Sequence, residues 1–289
     1  MAGLIGLKNL DHANEKIESL KEKQLPTTGT VFPEEQQQQR HQPATNHQLD
    51  YKLSRAIKHD NIDDFVHQLE QVVSSGNNLS VCDILGQVTP AGNSCLHVAA
   101  KHQSVNVANL IALHCPSLLT KTNIIGDTPL HVAAKTKIHT HRDNGQPNIV
   151  EVILGSYKKH YAVDDDGDVA PPYLERVNDF GNTPLHEAVS HHHHHTHHHH
   201  QSTDHKVVAI LFEEDKQVAY FPNKENKSPL YLAAENWNVE LLLEAPFMSN
   251  EKPYEGLSPL HAVILEKTPH AFKKKKYYGI SHRTSSTIG

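Results

Sequence analysis

The chain has 289 residues, of which 37% are hydrophobic and 21% charged, with 33 acidic side chains against 27 basic ones and 26 histidines. An apolar fraction below the roughly 45–50% usual for globular chains speaks against one large, fully wrapped core. A net charge of -6 with histidine neutral excludes a general polyanion binder, so nucleic acid is not an expected partner.

Three cysteines, Cys82, Cys95 and Cys115, are odd in number and contain no C-x-x-C pair. They indicate neither a disulfide framework nor a thiolate zinc site, and they favour a reduced, cytoplasmic setting. No apolar run approaches the roughly 18 residues that cross a bilayer. The start of the chain lacks a basic stretch followed by an apolar one, and Ala2 after Met1 removes the myristoylation signal.

Residues 1–48 read as a disordered polar leader with one short amphipathic helix, because Leu10, Ala13, Ile17 and Leu20 fall at heptad-like spacing before Pro26, Pro33 and a glutamine run. A short coiled-coil seam uses the same spacing, and two heptads do not separate the readings. Beyond the leader a nine-residue pattern recurs. Gly126-Asp127-Thr128-Pro129-Leu130-His131-Val132-Ala133-Ala134 has close copies at Gly92 to Ala100 and Gly181 to Val189, and weaker ones at Asn226 to Ala234 and Gly256 to Val263.

Each position of the pattern has a physical task. The Thr128 hydroxyl is an N-cap acceptor, and Pro129 takes the first helical position, where a missing N–H costs nothing. Leu130, Ala133 and Ala134 form an i, i+3, i+4 apolar stripe whose small alanines let a neighbouring helix come close. The preceding glycine permits a turn at positive φ. Second helices are read at Val107 to Ile111, Ile149 to Leu154, Val207 to Leu211 and Leu241 to Leu243, and a degenerate leading unit starts near Asp50 with Leu53, Ala56 and Ile57, then Phe65, Val66 and Leu69.

The T-P-L-H-x-A-A pattern at a period near 33 residues resembles the ankyrin repeat, a stack of helix pairs joined by β-hairpin-like loops. The resemblance implies an all-α ankyrin-repeat solenoid over 49–267, with insertions near 136–146, 161–175 and 190–204 and a basic, Ser/Thr-rich tail over 268–289. The stretch Cys115 to Asn123 running into Gly126 to His131 is similar to the plant ankyrin proteins of the accelerated-cell-death type. Those relatives carry a C-terminal membrane domain, lie at the cytoplasmic face of the plasma membrane and act in defence and stress signalling. Here no membrane segment follows the repeats, and no second helix is legible after Leu265, which suggests a truncated isoform or an incomplete gene model.

Four histidines, His97, His131, His186 and His261, occupy one helical position. Packed helices lie about 10 Å apart, too far for such rings to share a zinc held at roughly 2.0–2.1 Å. The resemblance implies a structural role, hydrogen bonding within and between repeats.

The insertion His191, His192, His193, His194, His195, His197, His198, His199 and His200 supplies nine imidazoles that can chelate Zn, Ni or Cu, although a low-complexity surface loop is the simpler reading. Asp164, Asp166, Asp168 and Glu175 imitate a calcium loop, but Val169 stands where glycine is needed and Pro171-Pro172 interrupts it. Cys95 takes the proline slot of its repeat and is expected to be buried and unreactive. Lys273 to Lys276 read as a solvated tail.

No nucleophile elbow, phosphate-cradling loop or zinc-protease motif appears, so no enzyme activity and no cofactor is expected. Function is then binding to other proteins. The variable finger positions Asn123, Ile124, Ile125, Asp179, Phe180, Lys224, Glu225, Asn226 and Lys227 are the candidate contact residues on the concave face. A metal-binding or metal-buffering role of the polyhistidine loop is the alternative.

Overall fold

The computed structural model describes residues 2–24, 48–75, 79–136, 148–161, 173–191 and 204–235. These residues are helical and carry no strand; one isolated parallel bridge joins Gln48 to Val88. The copy at Gly256 to Val263, the helix at Leu241 to Leu243, the tract from His192 to His200, the calcium-like aspartates and the basic tail lie outside the described residues.

After α1 (Ala2–Gln24) come α2 (Tyr51–Lys58) and α3 (Ile62–Ser74), the short α4 (Val81–Leu85), α5 (Cys95–His102) and α6 (Val105–His114), α7 (Pro129–Lys135) and α8 (Ile149–Tyr161), α9 (Pro184–His191) and α10 (Asp204–Glu214), and α11 (Pro229–Glu235). Two rows result. The first helices α2, α5, α7, α9 and α11 stack in sequence, and the second helices α3, α6, α8 and α10 stack behind them. The chain is an all-α ankyrin-repeat solenoid, two helices deep.

The apolar stripes account for the rows. Leu96, Ala99 and Ala100 of α5, Leu130, Ala133 and Ala134 of α7, and Leu230, Ala233 and Ala234 of α11 are buried, as are Val107, Ala108 and Ile111 of α6 and Ile149, Val150 and Ile153 of α8. The degenerate leading unit is present where Asp50 announces it. Asp50 Oδ1 accepts from the amides of Lys52 (2.8 Å) and Leu53 (3.0 Å), capping α2, while Leu53, Ala56, Ile57, Phe65, Val66 and Leu69 are all buried.

The amphipathic helix read in the leader is α1. Its Ala13, Ile17 and Leu20 are buried against α3, α4 and α6. His114, at the end of α6, places Nδ1 2.9 Å from Glu18 Oε1 and Nε2 3.2 Å from Asn14 Oδ1.

The cysteine reading is corrected. Cys82 of α4 and Cys115, the C-cap of α6, are joined as a disulfide with a Cα–Cα distance of 5.6 Å. They lie 33 residues apart, one repeat period, so their pairing is a product of stacking that no local spacing announces. Cys95 is buried as expected, and burial pushes its thiol up to about 12.

Candidate functional site: the finger ladder

Four loops precede the first helices and are built alike. In each, the first residue's N–H donates to the last residue's carbonyl: Thr89 to Asn93 (3.0 Å), Asn123 to Asp127 (3.0 Å), Asn178 to Asn182 (3.0 Å) and Asn223 to Lys227 (2.9 Å). In the first loop the Thr89 hydroxyl accepts from Asn93 N, and in the other three an asparagine side chain fills the loop from inside. Asn123 Oδ1 accepts from Ile125 N and Asp127 N, Asn178 Oδ1 from Phe180 N and Asn182 N, and Asn223 Oδ1 from Glu225 N and Lys227 N. Such local bonds satisfy backbone groups that no ladder reaches.

Fingers are also tied to each other. Ile124 N donates to Ala91 O (3.3 Å), Asp179 N to Ile125 O (3.0 Å) and Lys224 N to Phe180 O (3.1 Å). Beside them, Asn123 Nδ2 donates to Asn93 Oδ1, Asn178 Nδ2 to Asp127 Oδ1 and Asn223 Nδ2 to Asn182 Oδ1, at 2.8–2.9 Å. Gly126 shows why glycine is needed: its φ is +77° and a Cβ there would lie 2.8 Å from Asp179 N of the next finger. In the fourth finger Asn226 adopts the same region at φ 57°.

The recurring histidine locks helix to finger. His97 Nδ1 lies 2.8 Å from Ser94 Oγ and accepts from Ser94 N (3.2 Å), while Nε2 meets Asp127 O of the next finger at 2.9 Å. His131 repeats this with Thr128 and Asn182 O, and His186 with Thr183 and Lys227 O. A carbonyl only accepts, so Nε2 carries the proton and Nδ1 the lone pair, and the ring is neutral. It replaces the glutamate of an ordinary capping box. Burial pulls His97 and His186 down to about 4 and lowers His131 as well, outweighing the opposing pull of the carbonyls each ring meets.

The structure divides the candidate contact residues into two groups. Asn123 and the Lys227 carbonyl belong to the internal frame just described, and the Lys227 ammonium faces Glu235 at 3.4 Å. Ile124 (67% exposed), Ile125 (37%) and Phe180 (57%) stand outside it at successive tips, with Asp179, Lys224 and Glu225 exposed around them. Lys224 Nζ donates to Asp179 O at 2.6 Å, so the third and fourth tips are pinned together.

Two features escaped the sequence reading. Val177, just before the third finger, is 55% exposed. Glu187, buried, takes the slot held by Val98, Val132 and Leu232 in the other units. Its Oε1 accepts from Asn178 Nδ2 (2.8 Å) and Asn182 Nδ2 (3.0 Å), tying helix α9 to its own finger. A charge in an apolar slot was the available signal.

His191 ends α9 with Nδ1 3.0 Å from Glu187 O and 3.6 Å from Glu187 Oε2. Among the described residues no group of three or more histidine, cysteine or carboxylate side chains is placed to hold a metal ion. None of the described helices is long and apolar enough to cross a membrane.

No family model matches the sequence. Among solved structures, the ankyrin repeat domain of Bcl-3, a member of the IkappaB protein family, aligns with a TM-score of 0.51 at 24% identity, covering 75% of this chain and 80% of that one. The chain has the ankyrin fold. Among curated proteins, Protein ACCELERATED CELL DEATH 6 of Arabidopsis thaliana is 28% identical over 149 residues, 51% of this chain. The matched stretch covers 19% of that protein's length. The likeness read from the Cys115 to His131 stretch is thus met again across half of the ankyrin chain.

Proposed function

We propose that the chain is a non-catalytic protein-interaction scaffold whose finger tips carry the contact surface, acting in plant stress or defence signalling. The observation that supports this most is the contrast at the fingers: a frame of hydrogen bonds within and between successive fingers holds Ile124, Ile125 and Phe180 out at the tips, where they stay exposed. Large apolar side chains kept exposed on a rigid support are the usual mark of a binding surface. The name of the Arabidopsis relative supplies the setting, control of cell death.

The test is co-precipitation from plant extract with the full chain and its Ile124→Asp and Phe180→Asp variants. Wild type is expected to retain a reproducible set of proteins that both variants lose, while a variant without residues 191–200 keeps them. Loss of every partner on removing the histidine tract, with the tip variants still binding, would replace the scaffold reading by one centred on the tract. Because the substitutions sit in solvent, melting temperature separates lost contact from lost fold.

A further inference from the structure

The Cys82–Cys115 bridge and the α1 helix meet at one place, and neither is used by the finger surface. The helix lies across elements of two successive units, touching α3 and α4 on one side and α6 on the other. The disulfide joins those sides, from α4 to the end of α6. Next to Cys115 is His114, whose side chain is 1% exposed and holds Glu18 and Asn14 of α1. The bridge therefore ties together two of the elements that α1 packs on, one residue from the histidine that holds it.

The two cysteines are unequally covered. Cys115 is fully buried, whereas Cys82 is only partly covered. A small thiolate reaches Cys82 Sγ first, and Cys115 is the leaving group. The reduced state is also provided for, because the His114 carbonyl lies 3.4 Å from Cys82 Sγ and can accept from its thiol. Cys95, deep in α5, stays out of the exchange.

We propose that Cys82 and Cys115 form a reversible thiol–disulfide exchange site for low-molecular-weight thiols, and that its oxidation state sets how firmly α1 is seated on the repeats. In the oxidising direction the Cys82 thiolate attacks a disulfide RSSR and expels RS⁻. The Cys115 thiolate then attacks the mixed disulfide at Cys82 and expels the second RS⁻, so that two protein thiols lose two electrons and two protons while RSSR becomes two RSH. Reduction by two RSH runs the same steps backwards. With the bridge closed, α4 and the end of α6 move as one and the seat keeps its width. With it open, the two units are joined there only by packing and non-covalent hydrogen bonds such as those of Cys82 to the His114 carbonyl and of Lys121 to the Gly86 carbonyl, and α1 must open and close against a seat that can widen.

The full-length chain is equilibrated in glutathione buffers poised from fully reduced to fully oxidised. Native alkylation with iodoacetamide should label Cys82 in the reduced chain and no cysteine in the oxidised one. Hydrogen exchange of the α1 amides should be faster by on the order of tenfold after reduction, as expected for a local opening, while α7 and α9 exchange unchanged. Cys82→Ser should show the fast α1 exchange in both buffers; if it fails to fold, the wild-type comparison decides alone. A chain that forms no bridge in oxidised glutathione, or whose α1 exchanges at one rate in both buffers, overturns the proposal.

Discussion

The leading unit and the three units that follow it solve the same joining problem with different groups. At α5, α7 and α9 a buried histidine reaches from the helix cap to the next finger. At α2 there is no such ring. Asp50 caps the helix, and the junction to the following unit is made by Ser104 Oγ donating to Ile57 O (2.6 Å) and by Asp60 accepting from Asn106 Nδ2 (2.8 Å) and Val107 N (2.9 Å). The difference teaches that the repeat pattern specifies a geometry, and that several hydrogen-bond sets satisfy it. It also makes the two regions respond differently to acid.

The largest effect should come from that response. His97 and His186 fall to about 4 in the folded chain, below the ordinary value of 6.5. The unfolded chain thus takes up protons first as pH falls, and the stability these rings lend above pH 6.5 is lost between 6.5 and 4. At pH 4.5 their combined loss is on the order of 5 kcal/mol. Protonation turns the Nδ1 acceptor into a donor facing another donor. Hydrogen exchange at pH 7 and 4.5 should show α5 to α9 loosening by more than α2 and α3; uniform loosening would erase the distinction between the regions.

Next in size, Leu130→Ala should cost about 2–5 kcal/mol in denaturant unfolding, because Leu130 is completely buried between stacked helices. Asp50→Ala should cost about 1 kcal/mol, the ordinary worth of a helix cap, and its effect should be confined to α2 and α3. A loss as large as that of Leu130→Ala would mean the leading unit nucleates the stack. Smallest of all, Ile124→Asp and Phe180→Asp should shift unfolding by no more than about 0.5 kcal/mol. A larger shift would mean that the tips support the fold, and would remove them as a free surface.

Much of this was legible in the residues themselves. Thr128 and Pro129 announce a capped helix start, and Leu130, Ala133 and Ala134 its buried face, because those signals are local and repeat five times. The leading unit could be read through Leu53, Ala56 and Ile57 although its cap motif is missing, since burial requires the stripe and not the motif. What stayed hidden was long-range. Ala13, Ile17 and Leu20 declare an amphipathic helix but not the surface it packs on, and Cys82 and Cys115 become neighbours only once one unit is stacked on the next. Glu187 is different: its two amide partners, Asn178 and Asn182, lie only nine and five residues before it, and the charge standing in an apolar slot was the signal that marked it.

The junctions have one further property, which concerns how such a chain can grow. Backbone and asparagine donors run from each finger back to the one before it, whereas each histidine runs from its helix forward to the finger after it. Each of these three boundaries is thus a two-way latch, and cutting within a unit strands donors on one side and acceptors on the other. Evolution, or an engineer, can duplicate or excise whole units and keep every latch closed. Foreign sequence is best spliced between the helices of a pair rather than into a finger.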